Sequence, residues 1–136
     1  YRVPAPPARV PFISIGTGWE PLETGPNGAF RWMRDEATLT LEAPSPRDVI
    51  LQFSATTIGP ERQLSILYAG QEIFSERVGA LRDFRVGPLT LPSGESTLSV
   101  RSPGGTVSPL ELGIGDDPRR LGFALLRVRL VPAGTP

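Results

Sequence analysis

The sequence predicts an all-β domain built as an antiparallel β-sandwich, and three observations carry that expectation. Apolar and polar residues alternate in short runs, as in Thr38-Leu39-Thr40-Leu41, the period-two pattern of a strand with one covered face. Turn-forming clusters separate the runs, among them Pro92-Ser93-Gly94-Glu95 and Ser102-Pro103-Gly104-Gly105. The 16 prolines and 15 glycines exceed ordinary usage and are spread between apolar runs, as in a protein of many strands and turns. A chain of 136 residues suits one domain, which can bury about two-thirds of its unfolded surface.

Taken in order, residues 1–11 hold four prolines and read as an extended, semi-rigid linker. The sandwich is expected over residues 12–132, with 133–136 as a short tail. Thr38–Leu41 is the first clear strand. In the next, Val49, Leu51, Phe53 and Ala55 alternate against Gln52, Ser54 and Thr56. Leu64–Tyr68 and Gln71–Phe74 flank Ala69-Gly70 and read as a hairpin with glycine in its turn. Further strands are expected at Phe84–Leu91 and Thr97–Arg101. In the last run, Phe123–Val131, residues Ala124, Leu126, Val128 and Leu130 fall on one face, and Arg127 and Arg129 on a solvated one. No helical periodicity or internal repeat is evident. About eight or nine strands at regular spacing favour a jelly roll over an immunoglobulin-like sandwich, whose Cys–Trp–Cys spacing is missing.

Composition excludes much chemistry. There is no histidine, cysteine or lysine. That removes a Ser-His-Asp triad, a thiolate nucleophile, a conventional zinc site, a Schiff base and a phosphate-loop lysine. No catalytic residue, metal or cofactor is expected. Fourteen basic residues balance fourteen acidic ones, which argues against nucleic acid or an anionic membrane as the main partner. All the basic residues are arginine, a usage that points to a GC-rich genome and to a thermophilic source. With no initiator methionine, signal-peptide pattern or long apolar run, the chain reads as a cut from a longer or processed protein.

Specific information concentrates in two clusters, Gly18–Glu23 with Phe30-Arg31-Trp32, and Asp116–Gly122. An indole can cover the apolar face of a sugar while flanking charged groups bond its hydroxyls. Trp19, Glu20 and Arg119 are the candidates for such a site, although Trp19 reads equally well as a core plug. Trp32, inside the run Ala29–Met33, is expected in the core. Arg31 stands between two large aromatics and needs a carboxylate if it points inward. Glu23 and Asp117 are its candidate partners, giving a structural clasp of Glu23, Arg31, Trp32 and Asp117 between the two ends of the domain. The carboxylates Glu20, Glu23, Asp116 and Asp117 read as turn residues and ion-pair partners rather than as a glycosidase pair. Gly113–Asp117 has oxygens for a calcium ion, the alternative being that Asp116 or Asp117 organises the turn into Pro118.

Gly18-Trp19-Glu20-Pro21-Leu22-Glu23, then Phe30-Arg31-Trp32 and Glu36–Leu39, resembles the opening of a β-sandwich domain appended to bacterial membrane glycosyltransferases and related proteins. The closing segment Asp117–Gly122, followed by Phe123–Leu130, is similar to that family's Asp-x-Arg-x-Leu-Gly motif. Ala69–Ile73 stands at its central hairpin. Val107-Ser108-Pro109-Leu110 departs from the family, which often has Phe-Pro before the closing aspartate. The resemblance, over residues 16–131, implies a jelly roll of the galactose-binding-like kind and a non-catalytic, carbohydrate-binding-module-like accessory domain. It implies an extracytoplasmic setting, with attachment to the membrane through a region preceding Tyr1. The implied partners are a glycan or lipid-linked sugar and a membrane-embedded glycosyltransferase in the same chain. The alternatives are a structural or protein-interaction domain without ligand and, more distantly, a carboxylate-based glycoside hydrolase.

Overall fold

A computed structural model describes residues 11–133. The linker assigned to residues 1–11 therefore lies outside the described residues except for Pro11, and the tail except for Ala133. The described chain runs β1 (Phe12–Ile15), β2 (Glu23–Gly25), β3 (Gly28–Trp32), β4 (Glu36–Ala43), β5 (Arg47–Thr56), β6 (Arg62–Tyr68), β7 (Gln71–Val78), β8 (Arg82–Leu91), β9 (Gly94–Arg101), α1 (Pro109–Leu112) and β10 (Ala124–Pro132). The strands form two five-stranded antiparallel sheets, ordered β1-β4-β9-β6-β7 and β2-β3-β10-β5-β8. The expected sandwich is observed.

The alternating strands behave as their pattern dictates. Leu39 and Leu41 of β4, and Val49, Leu51 and Phe53 of β5, are buried in one core with Leu64, Ile66, Leu98, Val100 and Phe123. Each such side chain contributes about 1.5–3 kcal/mol by leaving water. An aromatic trio ties the sheets at one edge. Phe53 and Phe84 stack at 5.4 Å, and Phe74, from the opposite sheet, meets both rings edge-on at 5.8 and 5.4 Å. The β6–β7 hairpin turns on Ala69 (φ 52°) and Gly70 (φ 79°). Positive φ at both central residues is the turn that matches the twist of paired strands, and it costs alanine more than asparagine or glycine.

Three features lay beyond the sequence expectation. The segment after β1 crosses from one sheet to the other: Gly16 and Thr17 bond Thr38 of β4, and Glu20 then bonds Trp32 at the end of β3. Gly18 makes the crossing with φ 89°, packed so closely on Ala37 that a Cβ would lie 2.8 Å from its Cα. A single-turn helix, α1, is set by a capping box between Ser108 and Glu111, with Pro109 in its first turn. The last strand corrects the expected alternation. Its register against β5 shifts between Leu126 and Arg129, and Arg127 adopts φ 52°. This bulge inserts one residue and reverses the parity. Leu125, Val128 and Leu130 therefore face the core, whereas Leu126 lies on the outer face.

Candidate functional site

The two charged clusters do meet in space, and their centre is Arg119 rather than Arg31. The Arg119 Nε lies 3.1 and 2.9 Å from the Asp117 oxygens, and Nη2 donates to Asp117 Oδ2 at 2.7 Å. Its Nη1 reaches Glu20 Oε1 and its Nη2 reaches Glu23 Oε2, both at 3.3 Å. Arg34 lies on the other oxygen of Glu20 at 3.6 Å. One guanidinium thus gathers carboxylates from both ends of the domain, a charge-assisted arrangement. The bidentate Arg119 contact holds the Asp117 carboxyl below the usual carboxylate range, while Asp117 raises the Arg119 pKa.

Arg31 is not part of that clasp. Cross-strand to the core residue Leu125, it points to the inner side, where its Nη1 donates to the Glu20 carbonyl at 3.2 Å. It pairs with neither Glu23 nor Asp117 among the described residues. Asp117 Oδ1 also accepts the backbone N–H of Arg119 at 2.9 Å. This is the Asx turn around Pro118, and with the Arg119 side chain it occupies both carboxylate oxygens of Asp117. Among the described residues, no group of three or more acidic side chains is arranged to hold a metal.

The tryptophans occupy opposite sides of the sheet. Trp19 is half-buried against the core, and its indole N–H donates to the Thr38 carbonyl at 2.8 Å, bridging the two sheets. Trp32 pairs with Ala124 on the outer face and is half-buried there, not in the core cluster as expected. Its ring meets Phe30 edge-on at 6.3 Å. Phe30, Trp32 and Leu126 line a small apolar hollow of about 170 Å³.

This aromatic corner belongs to a larger face that the sequence reading did not assemble. The register of β10, β5 and β8 places Leu126, Ser54 and Asp83 in one outer row, and Arg129, Gln52 and Arg85 in the next. Arg127, thrown outward by the bulge, donates to Ser54 Oγ at 2.9 Å and to the Asn27 carbonyl at 3.3 Å. Ser54 donates in turn to Asp83. Arg129 Nε donates to Gln52 Oε1 at 2.8 Å. These groups surround a hollow of about 300 Å³ next to the apolar one. From Thr56 to Gln52 the face runs about 14 Å at 3.4 Å per residue. It joins an aromatic corner to a field of hydrogen-bonding side chains.

No protein-family model matches the sequence, and no curated protein does. Among solved structures, the chain is similar to the Podospora anserina GH26-CBM35 β-(1,4)-mannanase, with a TM-score of 0.62 at 12% identity. That match covers 93% of this chain and 28% of the mannanase. The chain is also similar to the carbohydrate-binding module CBM6cm-2 of Cellvibrio mixtus lichenase 5A, solved in complex with cellotriose. There the TM-score is 0.51 at 13% identity, over 87% of this chain and 89% of the module. The fold is the jelly-roll sandwich of carbohydrate-binding modules. The chain spans little more than a quarter of the mannanase, and at these identities the likeness is one of fold.

Proposed function

We propose that the domain is a non-catalytic carbohydrate-binding module that holds a glycan on the outer face of the β2-β3-β10-β5-β8 sheet. One observation carries this reading: the Phe30–Trp32 corner and the polar side chains of Gln52, Asp83, Arg85 and Arg129 share one solvent-open face. An aromatic edge covers the apolar side of a sugar ring, and polar groups spaced along the strands bond its hydroxyls. The fold shared with the cellotriose-bound module supports the assignment. The carboxylates Glu20, Glu23 and Asp117 are drawn onto Arg119, which speaks against their facing each other across an open groove as a hydrolase requires.

The same reading sets the module outside the cytoplasm, as an accessory to a membrane-embedded glycosyltransferase in the same chain and close to its glycan or lipid-linked sugar. Its support is the motif resemblance at Gly18–Glu23, Phe30–Trp32 and Asp117–Gly122. Finding membrane helices and a sugar-transferase domain in the same reading frame checks that context; a secreted hydrolase there counts against it. A second reading, a structural domain without ligand, is favoured by the internal satisfaction of Trp19, Glu20 and Arg119.

Tryptophan fluorescence separates the two. Titration with neutral gluco-, manno- and xylo-oligosaccharides and with acidic and sulfated oligosaccharides is expected to give, with at least one of them, a saturable change that Trp32→Ala removes and Trp19→Phe retains. Absence of a saturable change up to millimolar sugar, or an unaltered titration in Trp32→Ala, refutes binding at this face.

A further inference from the structure

The arginines of the outer face are unequal in how their charge is met. Arg127 is held between Ser54, itself buried, and Asp83, whose carboxylate lies 3.6 Å from its Nη2. Arg129 bonds only the neutral Gln52, through Nε, leaving both of its terminal nitrogens unpartnered among the described residues. Arg85 is exposed and has no hydrogen-bond or ion-pair partner among the described residues. Both pair in register with Gln52, one from each side. Adjacent strands are about 4.8 Å apart, so two uncompensated guanidiniums stand on one face with their Cα atoms about 10 Å apart and Gln52 between them.

Two guanidiniums flanking Gln52 with no carboxylate between them leave a local excess of positive charge on this face. The hollow as a whole sets three arginines against one aspartate, in a chain whose net charge is zero. A guanidinium only donates hydrogen bonds. The hydroxyls of a neutral sugar accept from such a pair but leave its charge uncompensated. An oxyanion accepts from both forks at once and neutralises that excess charge.

Resting on the glycan-binding reading above, we infer that this face selects an anionic glycan, with Arg85 and Arg129 clamping a uronate carboxylate or a sulfate ester across Gln52. Arg127 is positioned by Ser54 and Asp83 at the rim of the hollow and sets the third wall of the anion site. The Phe30–Trp32 corner receives the adjoining ring.

The test compares three probes on the intact domain by calorimetry: an oligogalacturonide, a sulfated carrageenan oligosaccharide and a neutral cello-oligosaccharide of matched length. At least one anionic probe is expected to bind about tenfold or more tighter than the neutral one, and the tighter of the two identifies the anion. Added salt weakens it, since the Debye length is about 8 Å at physiological ionic strength. Arg85→Gln and Arg129→Gln should each cost about tenfold in affinity for the anionic probe, about 1.4 kcal/mol, with melting temperatures close to that of the parent. Equal affinity for neutral and anionic probes, or anionic binding untouched by both substitutions, overturns the anion clamp and leaves glycan binding standing. If no probe of either kind binds, glycan binding and the clamp fall together.

Discussion

Arg62 provides the sharpest test of how the sandwich is closed. It opens β6, is only 6% exposed, and no carboxylate pairs with it among the described residues. Its guanidinium instead donates to carbonyls: Nη1 to Ile58 at 3.1 Å, and Nη2 to Gly122 at 2.6 Å, with Thr57 Oγ1 beside it. It also lies 5.7 Å from the centre of the Phe123 ring. Burial lowers its pKa, a sign that the charge itself opposes folding. Arg62→Met keeps an unbranched apolar stem out to the Nε position and relieves that desolvation, but removes every donor. Gly122 O keeps a 2.7 Å bond from Thr57, whereas Ile58 O is left with one long contact of 3.4 Å. One poorly satisfied carbonyl costs about 1–3 kcal/mol, and a desolvated cation–π contact adds as much as about 2. With the desolvation relief set against these, the expected loss is about 2 kcal/mol. Arg62→Ala leaves a cavity as well and should lose about 3–4 kcal/mol. At about 3–5 °C per kcal/mol for a domain of this size, Arg62→Met should melt about 6–10 °C lower. Thermal melts and guanidinium titrations at constant m-value measure both. A methionine variant as stable as the parent would show that the carbonyl cage does not compensate the buried charge, and would refute the reasoning.

Asp117 should shape the acid limb of stability. Its folded pKa lies below the unfolded value of about 3.9, so its contribution is present above that value and is lost as pH falls through the folded pKa. The gap between parent and Asp117→Asn in melting temperature should therefore narrow below about pH 4; parallel curves there would rule the linkage out. Ala69→Asn should stabilise by about 0.5–1 kcal/mol, because asparagine tolerates the left-handed turn position better; denaturant midpoints decide it, and an unchanged or lower midpoint counts against the turn assignment. Gly18→Ala should lose about 2 kcal/mol or more, since a Cβ there meets the Glu36 carbonyl and the Ala37 backbone at φ 89°. A neutral effect would mean that the crossing segment is not packed as described.

How much of this was readable beforehand depends on where the information lay. Strands β4 and β5 alternate cleanly, and β6 to β9 are apolar-rich runs set off by glycine and proline turns, so local pattern sufficed to find them. Strands β1 to β3 are short and lie among exposed or polar residues, and their pairing is a tertiary fact that no window reveals. The α1 turn did carry a signal, Ser108-Pro109-x-Glu111, in the segment that departs from the family motif. The identity of the clasp was not readable. Arg31 and Arg119 are chemically alike, and the choice rests on side-chain direction: Arg31 faces inward with Leu125 because Phe30 and Trp32 take the outer positions beside Leu126 and Ala124. Asp117, moreover, organises its own turn, which delivers Arg119 to its carboxylate.

The candidate face depends on a single inserted residue. With Leu126 turned outward beside Phe30, strict alternation would send Arg127 and Arg129 into the core and Val128 and Leu130 into solvent. The bulge at Arg127 resets the count. Arg129 comes out opposite Gln52, and Val128 and Leu130 turn in against the core. The left-handed backbone of Arg127, costly for a non-glycine residue, is thus the condition under which one strand serves both an aromatic corner and an arginine row. A sequence with equal numbers of acids and bases gives no hint of such a row, because charge balance constrains only the sum. Strand register decides which arginines of this face meet an acid, as Arg127 does, and which face solvent without one among the described residues, as Arg85 and Arg129 do.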